Sequence, residues 1–186
     1  MTHLSHRISQ PDRATTHAAA DAQLTFSNQA AYLAFAPAVY EVSHDSSLLS
    51  APVQSVPVVA SGATDVTVDA MPNDAFTAQV QAKLNEFLDE CATQQVLQPS
   101  NCPFGIEIDN RVKSAPAWSI AAYPQVALTG GESSFDMPGT EGQAHIVVDV
   151  QSLYDGDLST RDEDVPFSVA LTVTIQPDGA LAIQLR

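Results

Sequence analysis

The stretch NDAFTAQVQAKLNEFLDECATQQVLQPSNCPF, from Asn73 to Phe104, decides the fold. Its apolar side chains recur mostly at steps of three and four residues, which is the spacing of one face of an α-helix. These positions are Phe76, Val80, Leu84, Phe87, Leu88 and Cys91. Asn73 or Asp74 can cap the free amides of the first turn. A helical stripe of roughly five turns needs a broad apolar partner surface, so we predict that the helix packs across a sheet.

The only two cysteines of the chain flank the loop that follows this helix. Cys91 lies in the last turns of the helix, and Cys102 lies eleven residues further on, past Pro99. Because loop-forming residues separate them, the chain can double back, and we predict a disulfide that places the protein outside the reducing cytoplasm. The alternative is a pair of reduced, structural thiols in the cytosol. A metal site is disfavoured, because a lone cysteine pair without nearby partners does not complete a tetrahedral zinc site.

The charge of the chain excludes some partners. Its 186 residues carry seven Lys and Arg against 22 Asp and Glu, which gives a formal net charge of −15. Nucleic acid needs a basic face, and here the basic residues are scattered singly, so we expect no nucleic-acid partner. Hydrophobic residues make up 45% of the chain, which is enough to bury a core.

No segment of the sequence has the character of a membrane span. No apolar run approaches the ~20 residues that a helix needs to cross a bilayer. The N-terminal residues lack the apolar region of a signal peptide. We therefore expect no direct membrane insertion by this segment, and an extracytoplasmic location requires an anchor or export signal outside it.

The chain divides into three segments that differ in composition and in the periodicity of their apolar residues. Residues 1–22 are polar and aperiodic, which predicts a disordered leader. Residues 23–70 contain short apolar or alternating runs between turn formers, which predicts a small antiparallel β domain. Its candidate strands are LTFS, YLAFA, AVYEV, PVQSVPVV and DVTVDA. Residues 71–186 contain the helix and further strands, and predict an α+β domain.

The sheet of this second domain has five candidate strands. They are FGIEID, AWSIAAYPQVAL, QAHIVVDVQSLY, PFSVALTVTIQ and GALAIQL. The fourth alternates strictly between apolar and polar side chains from Phe167 to Gln176, which is a strong strand signal. Pro177 and Gly179 then occupy turn positions that close a hairpin onto the last strand. We predict an α+β fold in which one long helix packs on a curved antiparallel sheet.

Few residues have the character of a catalytic or binding site. His145 and Asp149 share one strand face, but residues four apart on a strand are separated by roughly 13 Å, so they cannot form a hydrogen-bonded pair. A bulge in the strand, or Tyr123 or Asp149 brought close through a neighbouring strand, would allow an acid–base site to form at His145. Trp118 and Tyr123 are predicted to be half-buried packing residues rather than a ligand platform.

Two loops resemble ligand-binding motifs only loosely. The segment from Asp155 to Asp164 is rich in carboxylates, as calcium loops are, but it lacks the spacing of an EF-hand and is interpreted as an acidic solvated turn. The glycines between Thr129 and Glu132 lack the helix and the lysine of a phosphate loop and are interpreted as a turn. We assign no catalytic residue, no cofactor and no metal ligand. The one assigned pair of residues is Cys91 and Cys102, which form the predicted disulfide.

Several strings resemble one known family. They are LDECATQQVLQPSNCPFG, AWSIAAYPQVAL, QAHIVVDVQSL and DVPFSVALTVTIQPDGALAIQL. Together they resemble the C-terminal region of uncharacterised, membrane-anchored envelope proteins of actinobacteria, over about residues 24–186. YLAFAPAVYEV resembles the turn of the preceding β domain, although Ala36-Pro37-Ala38 stands where the family often has Gly. The resemblance implies an extracytoplasmic location and a parent protein with an N-terminal transmembrane anchor.

Two hypotheses on function follow. The first is a non-enzymatic extracytoplasmic domain of a cell-envelope protein, which binds an envelope protein or ligand or has a structural role. The second is a small-molecule pocket or enzyme of the NTF2-like type, with a cavity between helix and sheet. The helix-and-sheet unit is similar to cystatin-like and NTF2-like folds, and its single clear helix favours the cystatin-like one.

Overall fold

A computed structural model describes Leu4–Ser5, Ala19–Ala20 and residues 33–59, 63–131, 134–176 and 179–186. Leu4–Ser5 and Ala19–Ala20 pair as two short antiparallel strands. The rest of the predicted leader and the candidate strand LTFS lie outside the described residues.

The chain forms one helix and eleven strands within these ranges. In chain order they are β1 (Leu4–Ser5), β2 (Ala19–Ala20), β3 (Ala38–Asp45), β4 (Leu49–Val58), β5 (Met71–Pro72), α1 (Asp74–Ala92), β6 (Arg111–Val112), β7 (Ala117–Ala122), β8 (Thr129–Gly130), β9 (Phe135–Gln151), β10 (Leu158–Ile175) and β11 (Leu181–Leu185).

The predicted α+β architecture is confirmed. Strands β3, β4 and β5 form a small antiparallel sheet in that order. The other six from β6 onward form a strongly curled antiparallel sheet in the order β11-β10-β9-β6, and β7 and β8 also pair with β9. Helix α1 packs against this curled sheet.

The helix begins where the sequence predicts. Asn73 caps it, because its side-chain Oδ1 accepts a hydrogen bond of 2.9 Å from the amide of Phe76. Five of the six predicted stripe positions are buried: Phe76, Val80, Leu84, Leu88 and Cys91. Phe87 was predicted to be buried with them, but it is only half-buried. It lies at the edge of the apolar stripe, where the helix surface turns towards solvent.

The polar side of the helix makes one connection that the periodicity does not predict. Gln81 donates hydrogen bonds to the side chain of Asn85 (2.8 Å) and to the carbonyl of Pro124 (3.0 Å), and accepts one from the amide of Val126 (2.9 Å). This half-buried glutamine therefore ties the helix to the chain that leaves β7.

The chain divides into two compact units. The first contains Met1–Thr77, Leu128–Phe135 and Val173–Ala182. Within it, the rings of Phe76 and Phe135 pack edge to face with centroids 5.2 Å apart, and the hydroxyl of buried Tyr40 donates to the carbonyl of Phe35 at 2.9 Å.

The second unit contains Ala78–Ala127, Asp136–Thr172 and Ile183–Arg186, and holds most of α1, β9 and β10. Its core is formed by alternate side chains of the two long strands: Ala144, Ile146, Val148, Val150, Phe167, Val169 and Leu171. The predicted domain boundary at residue 70 stays a prediction.

Some strand predictions are wrong. DVTVDA (residues 65–70) and FGIEID (residues 104–109) form no strand, although both alternate in polarity. Conversely, both long strands begin earlier than predicted, β9 at Phe135 and β10 at Leu158. The start of β10 lies inside the segment that was interpreted as an acidic turn. Alternation describes a face, but a strand also needs a hydrogen-bonded neighbour, and one sequence window does not reveal that neighbour.

The predicted hairpin between the last two strands is confirmed. The amide of Gln176 donates to the carbonyl of Ala180 at 2.8 Å, and the amide of Gly179 donates to the carbonyl of Gln176 at 2.8 Å. Gly179 has a φ of 83°, a left-handed conformation that favours glycine.

Candidate functional site

The loop after α1 brings the two cysteines to disulfide distance. Their Sγ atoms lie 2.02 Å apart and their Cα atoms 5.8 Å apart. Gln94 stabilises the loop, because its side-chain Oε1 accepts a hydrogen bond of 2.8 Å from the amide of Ser100. Trp118 on β7 donates its indole N–H to the carbonyl of Val96 at 2.7 Å. The loop is therefore held by one of its own side chains, Gln94, and by Trp118 from β7.

A pocket lies beside this loop, within the second unit. Its volume is about 210 Å³, and it is lined by Phe87, Asn101, Cys102, Pro103, Ser168, Val169, Leu185 and Arg186. Most of this lining is apolar, and the half-buried ring of Phe87 forms part of it. Pockets for drug-sized ligands usually have volumes of about 300–1,000 Å³. This one fits a single ring or a short aliphatic group.

The cationic group at the pocket already has a partner. The guanidinium of Arg186 donates to Asp136 at 3.1 Å, and the hydroxyl of Thr172 donates to the same carboxylate oxygen at 2.8 Å. The polar groups at the pocket are thus an amide, a hydroxyl and a paired guanidinium, which can orient a ligand but do not form an acid–base pair.

His145 contacts two carboxylates, neither of which is among the partners considered from the sequence, Tyr123 and Asp149. Its Nδ1 lies 2.8 Å from Asp164 Oδ1, and its Nε2 lies 3.3 Å from Asp162 Oδ1. Both carboxylates come from the neighbouring strand β10. Asp149, the candidate partner on the same strand, instead accepts a hydrogen bond of 2.7 Å from Thr160.

This His145 cluster, formed by His145, Asp162 and Asp164, lies open to solvent. About a third of the His145 side chain is exposed, and the two carboxylates are exposed by 66% and 54%. The arrangement bridges β9 to β10 on the outer face of the sheet. One sequence signal could have found it: Thr160, Asp162 and Asp164 alternate, as side chains on one face of a strand do.

The remaining candidates have structural contacts. Trp118 was predicted to be half-buried and is buried, whereas Tyr123 is half-buried. The phenol of Tyr123 donates to Asp89 at 2.5 Å, and this hydrogen bond raises the pKa of the tyrosine. Thr129–Gly130 forms the short strand β8 rather than a turn, and Glu132 lies outside the described residues. No group of three or more His, Cys, Asp or Glu with metal-binding geometry occurs in the described part of the chain.

No protein-family model matches the chain, and no curated protein or solved structure matches it significantly. Among the described residues, no helix combines the length and the apolar character that a membrane crossing requires.

Proposed function

We propose that the chain is a non-enzymatic, extracytoplasmic domain of a cell-envelope protein with a binding or structural role. The observation that carries the proposal is the cysteine pair at disulfide distance. Disulfides persist in oxidising compartments and are rare in the cytosol of most organisms, where thiols are kept reduced.

The distribution of polar groups supports a role without catalysis. The groups with acid–base chemistry, His145 and its two carboxylates, lie on an exposed strand face. The pocket beside the cysteine loop is mainly apolar, and its one cation is paired with Asp136. Catalysis by proton transfer requires the titratable group within hydrogen-bond reach of a bound substrate, preferably away from bulk water.

The proposal includes the architecture and the parent protein. The curled sheet with one helix is consistent with a cystatin-like domain, and the resemblance to actinobacterial envelope proteins supplies a membrane-anchored parent. The anchor belongs to a segment outside this chain, and the partner is another envelope protein or a ligand.

The location can be tested on intact cells that express the full-length parent protein. A membrane-impermeant, amine-reactive biotin reagent should label this domain through Lys83 and Lys113, which are both exposed. A cytosolic marker protein should stay unlabelled until the cells are lysed. Labelling of the domain only after lysis would overturn the proposed location.

One observation favours the second candidate function, a pocket for a small ligand. The half-buried ring of Phe87 and the buried side chain of Val169 both face the pocket. Titration with single-ring aromatic compounds should then shift the NMR signals of the Val169 methyl groups. The same titration of Phe87→Ala should give weaker shifts. Equal shifts in both proteins, or none in either, would exclude this function.

A further inference from the structure

The turn between the two longest strands exposes large apolar side chains. Strand β9 ends at Gln151 and β10 begins at Leu158; we call residues 152–158 the hairpin tip. Leu153 is 67% exposed, Tyr154 is 100% exposed and Leu158 is 70% exposed. Single exposed apolar residues are ordinary, whereas clusters of them are typical of interaction sites, and these three lie within six positions of the chain.

Hydrogen bonds fix the backbone of the hairpin tip. The amide of Ser152 donates to the carbonyl of Asp157 at 2.9 Å, and the amide of Gly156 donates to the carbonyl of Ser152 at 3.1 Å. The side chain of Gln151 donates to the carbonyl of Gly156 at 2.9 Å. Gly156 has a φ of 81°, where a residue with a side chain would be strained. The turn therefore presents its apolar side chains on an ordered scaffold, which lowers the entropy lost on binding.

Acidic residues lie close to these apolar residues in the sequence. Asp155 and Asp157 lie within the hairpin tip, and Asp162 and Asp164 follow on β10. Hydrogen bonds from the Ser152 hydroxyl and the Asp157 amide hold the pKa of the Asp155 carboxyl below its ordinary value, so this carboxylate is charged at neutral pH. The nearest cation on β10, Arg161, lies 3.7 Å from Glu163. The hairpin tip thus combines exposed apolar side chains with the carboxylates of Asp155 and Asp157.

We propose that the hairpin tip is a docking site for a partner polypeptide segment that carries apolar side chains flanked by Lys or Arg. The apolar groups of the partner would cover Leu153, Tyr154 and Leu158, and its cations would face the carboxylates. Exposed tyrosine is a common energetic centre of interfaces, because it offers a large, rigid contact area. The inference rests on the proposed binding role and names its surface and partner chemistry.

The charge of the tip favours a polypeptide over a lipid surface. Membrane-binding apolar tips gain affinity from Lys and Arg beside anionic lipid headgroups. Here the tip carries aspartates, and the whole chain has a net charge of −15. An anionic bilayer would repel this surface, whereas a basic polypeptide segment would be attracted to it.

The test uses a phage-displayed library of random peptides, selected on the immobilised protein. We expect enriched peptides in which aromatic or aliphatic residues lie beside Lys or Arg. Leu153→Ser and Tyr154→Ser should each weaken the binding of the resynthesised peptides at least about tenfold, as loss of an interface anchor does. Val59→Ser removes a side chain that is 80% exposed elsewhere, and should leave binding unchanged. All three variants keep every charge, so non-specific attraction of basic peptides to the acidic chain stays the same.

Three results would overturn the inference. They are the absence of enriched peptides, equal affinity of wild type and Tyr154→Ser, and unchanged affinity after Glu replaces the Lys and Arg of the peptides. Flotation with phosphatidylcholine and phosphatidylglycerol vesicles tests the alternative that the hairpin tip binds a membrane. Vesicle binding that Tyr154→Ser abolishes would assign the tip to a membrane and refute the polypeptide partner. None of these results changes the labelling of intact cells, so a failure of this inference is distinguishable from a failure of the proposed location.

Discussion

Three single substitutions on α1 test, in turn, its buried face, the hydrogen bonds of Gln81 and its exposed surface. Leu84 is 2% exposed, and Leu84→Ala removes three carbon atoms from the core. At about 0.8 kcal/mol for each buried CH₂, the lost transfer free energy is about 2.4 kcal/mol. The cavity left behind adds to this, so we expect the free energy of unfolding to fall by about 2–5 kcal/mol.

The other two variants lie three and five residues before Leu84 on the helix. Gln81→Ala removes the hydrogen bonds to Pro124 and Val126, and should cost about 1–3 kcal/mol, because backbone groups lose their partners. Gln79 is exposed, and Gln79→Ala should change stability by no more than about 0.5 kcal/mol.

Urea unfolding followed by circular dichroism measures all three, with the cysteine oxidation state kept the same. The midpoints should order as Leu84→Ala below Gln81→Ala below Gln79→Ala, with an unchanged dependence on urea. If Leu84→Ala is as stable as Gln79→Ala, the assigned buried face of the helix is wrong. If Gln81→Ala is as stable as Gln79→Ala, the hydrogen bonds from the helix to the chain after β7 contribute nothing to the free energy of unfolding.

Further predictions concern the cysteine pair, one glycine and one tyrosine. Replacing Cys91 and Cys102 together by Ser should lower the free energy of unfolding by about 3 kcal/mol, the loop-entropy value for a closure of this size, in a urea titration. Gly142→Ala should destabilise the protein by about 1–3 kcal/mol by the same assay, because a Cβ there would lie 2.5 Å from the ring of Phe167; no change would contradict that packing. Tyr123 has a raised pKa, so its hydrogen bond stabilises the fold below the ordinary tyrosine value of about 10 and is lost as the pH rises through the folded-state pKa. Unfolding measured across the alkaline range should therefore show a smaller loss of stability in Tyr123→Phe than in wild type.

The sequence predicts the parts of this fold whose signals are local. The helix stripe, its Asn73 cap and the hairpin that Gln176 and Gly179 close each depend on neighbours within a few residues, and the structure confirms them, except that Phe87 is only half-buried. The alternation of β10 from Phe167 onward is equally local, since one buried face imposes it.

The parts that depend on strand pairing were not predictable from one sequence. DVTVDA alternates but has no strand partner in the described part of the chain. The start of β10 is not predicted because both of its faces are mainly polar from residue 158 to residue 164, so this segment resembles a loop. The His145 cluster depends on that same pairing, because its two aspartates lie 17 and 19 residues beyond the histidine and reach it only across two strands.

The hairpin tip shows that a candidate binding surface, too, cannot be recognised from the sequence alone. Leu153, Tyr154 and Leu158 are apolar, and in a sequence such residues suggest burial. Only the structure places them in an ordered turn with their side chains in solvent. An apolar residue that the fold does not cover can therefore be recognised only after the fold is known.

The oxidation state of the two cysteines in living cells tests the proposed location most directly. Cells that express the protein are quenched with acid, and the unfolded protein is treated with a maleimide of high mass, with and without prior reduction. We expect no maleimide on Cys91 and Cys102 in the unreduced sample and one on each after reduction, because the pair lies at disulfide distance and the proposed oxidising compartment would keep it bonded. Modification of both cysteines without reduction would contradict the extracytoplasmic role.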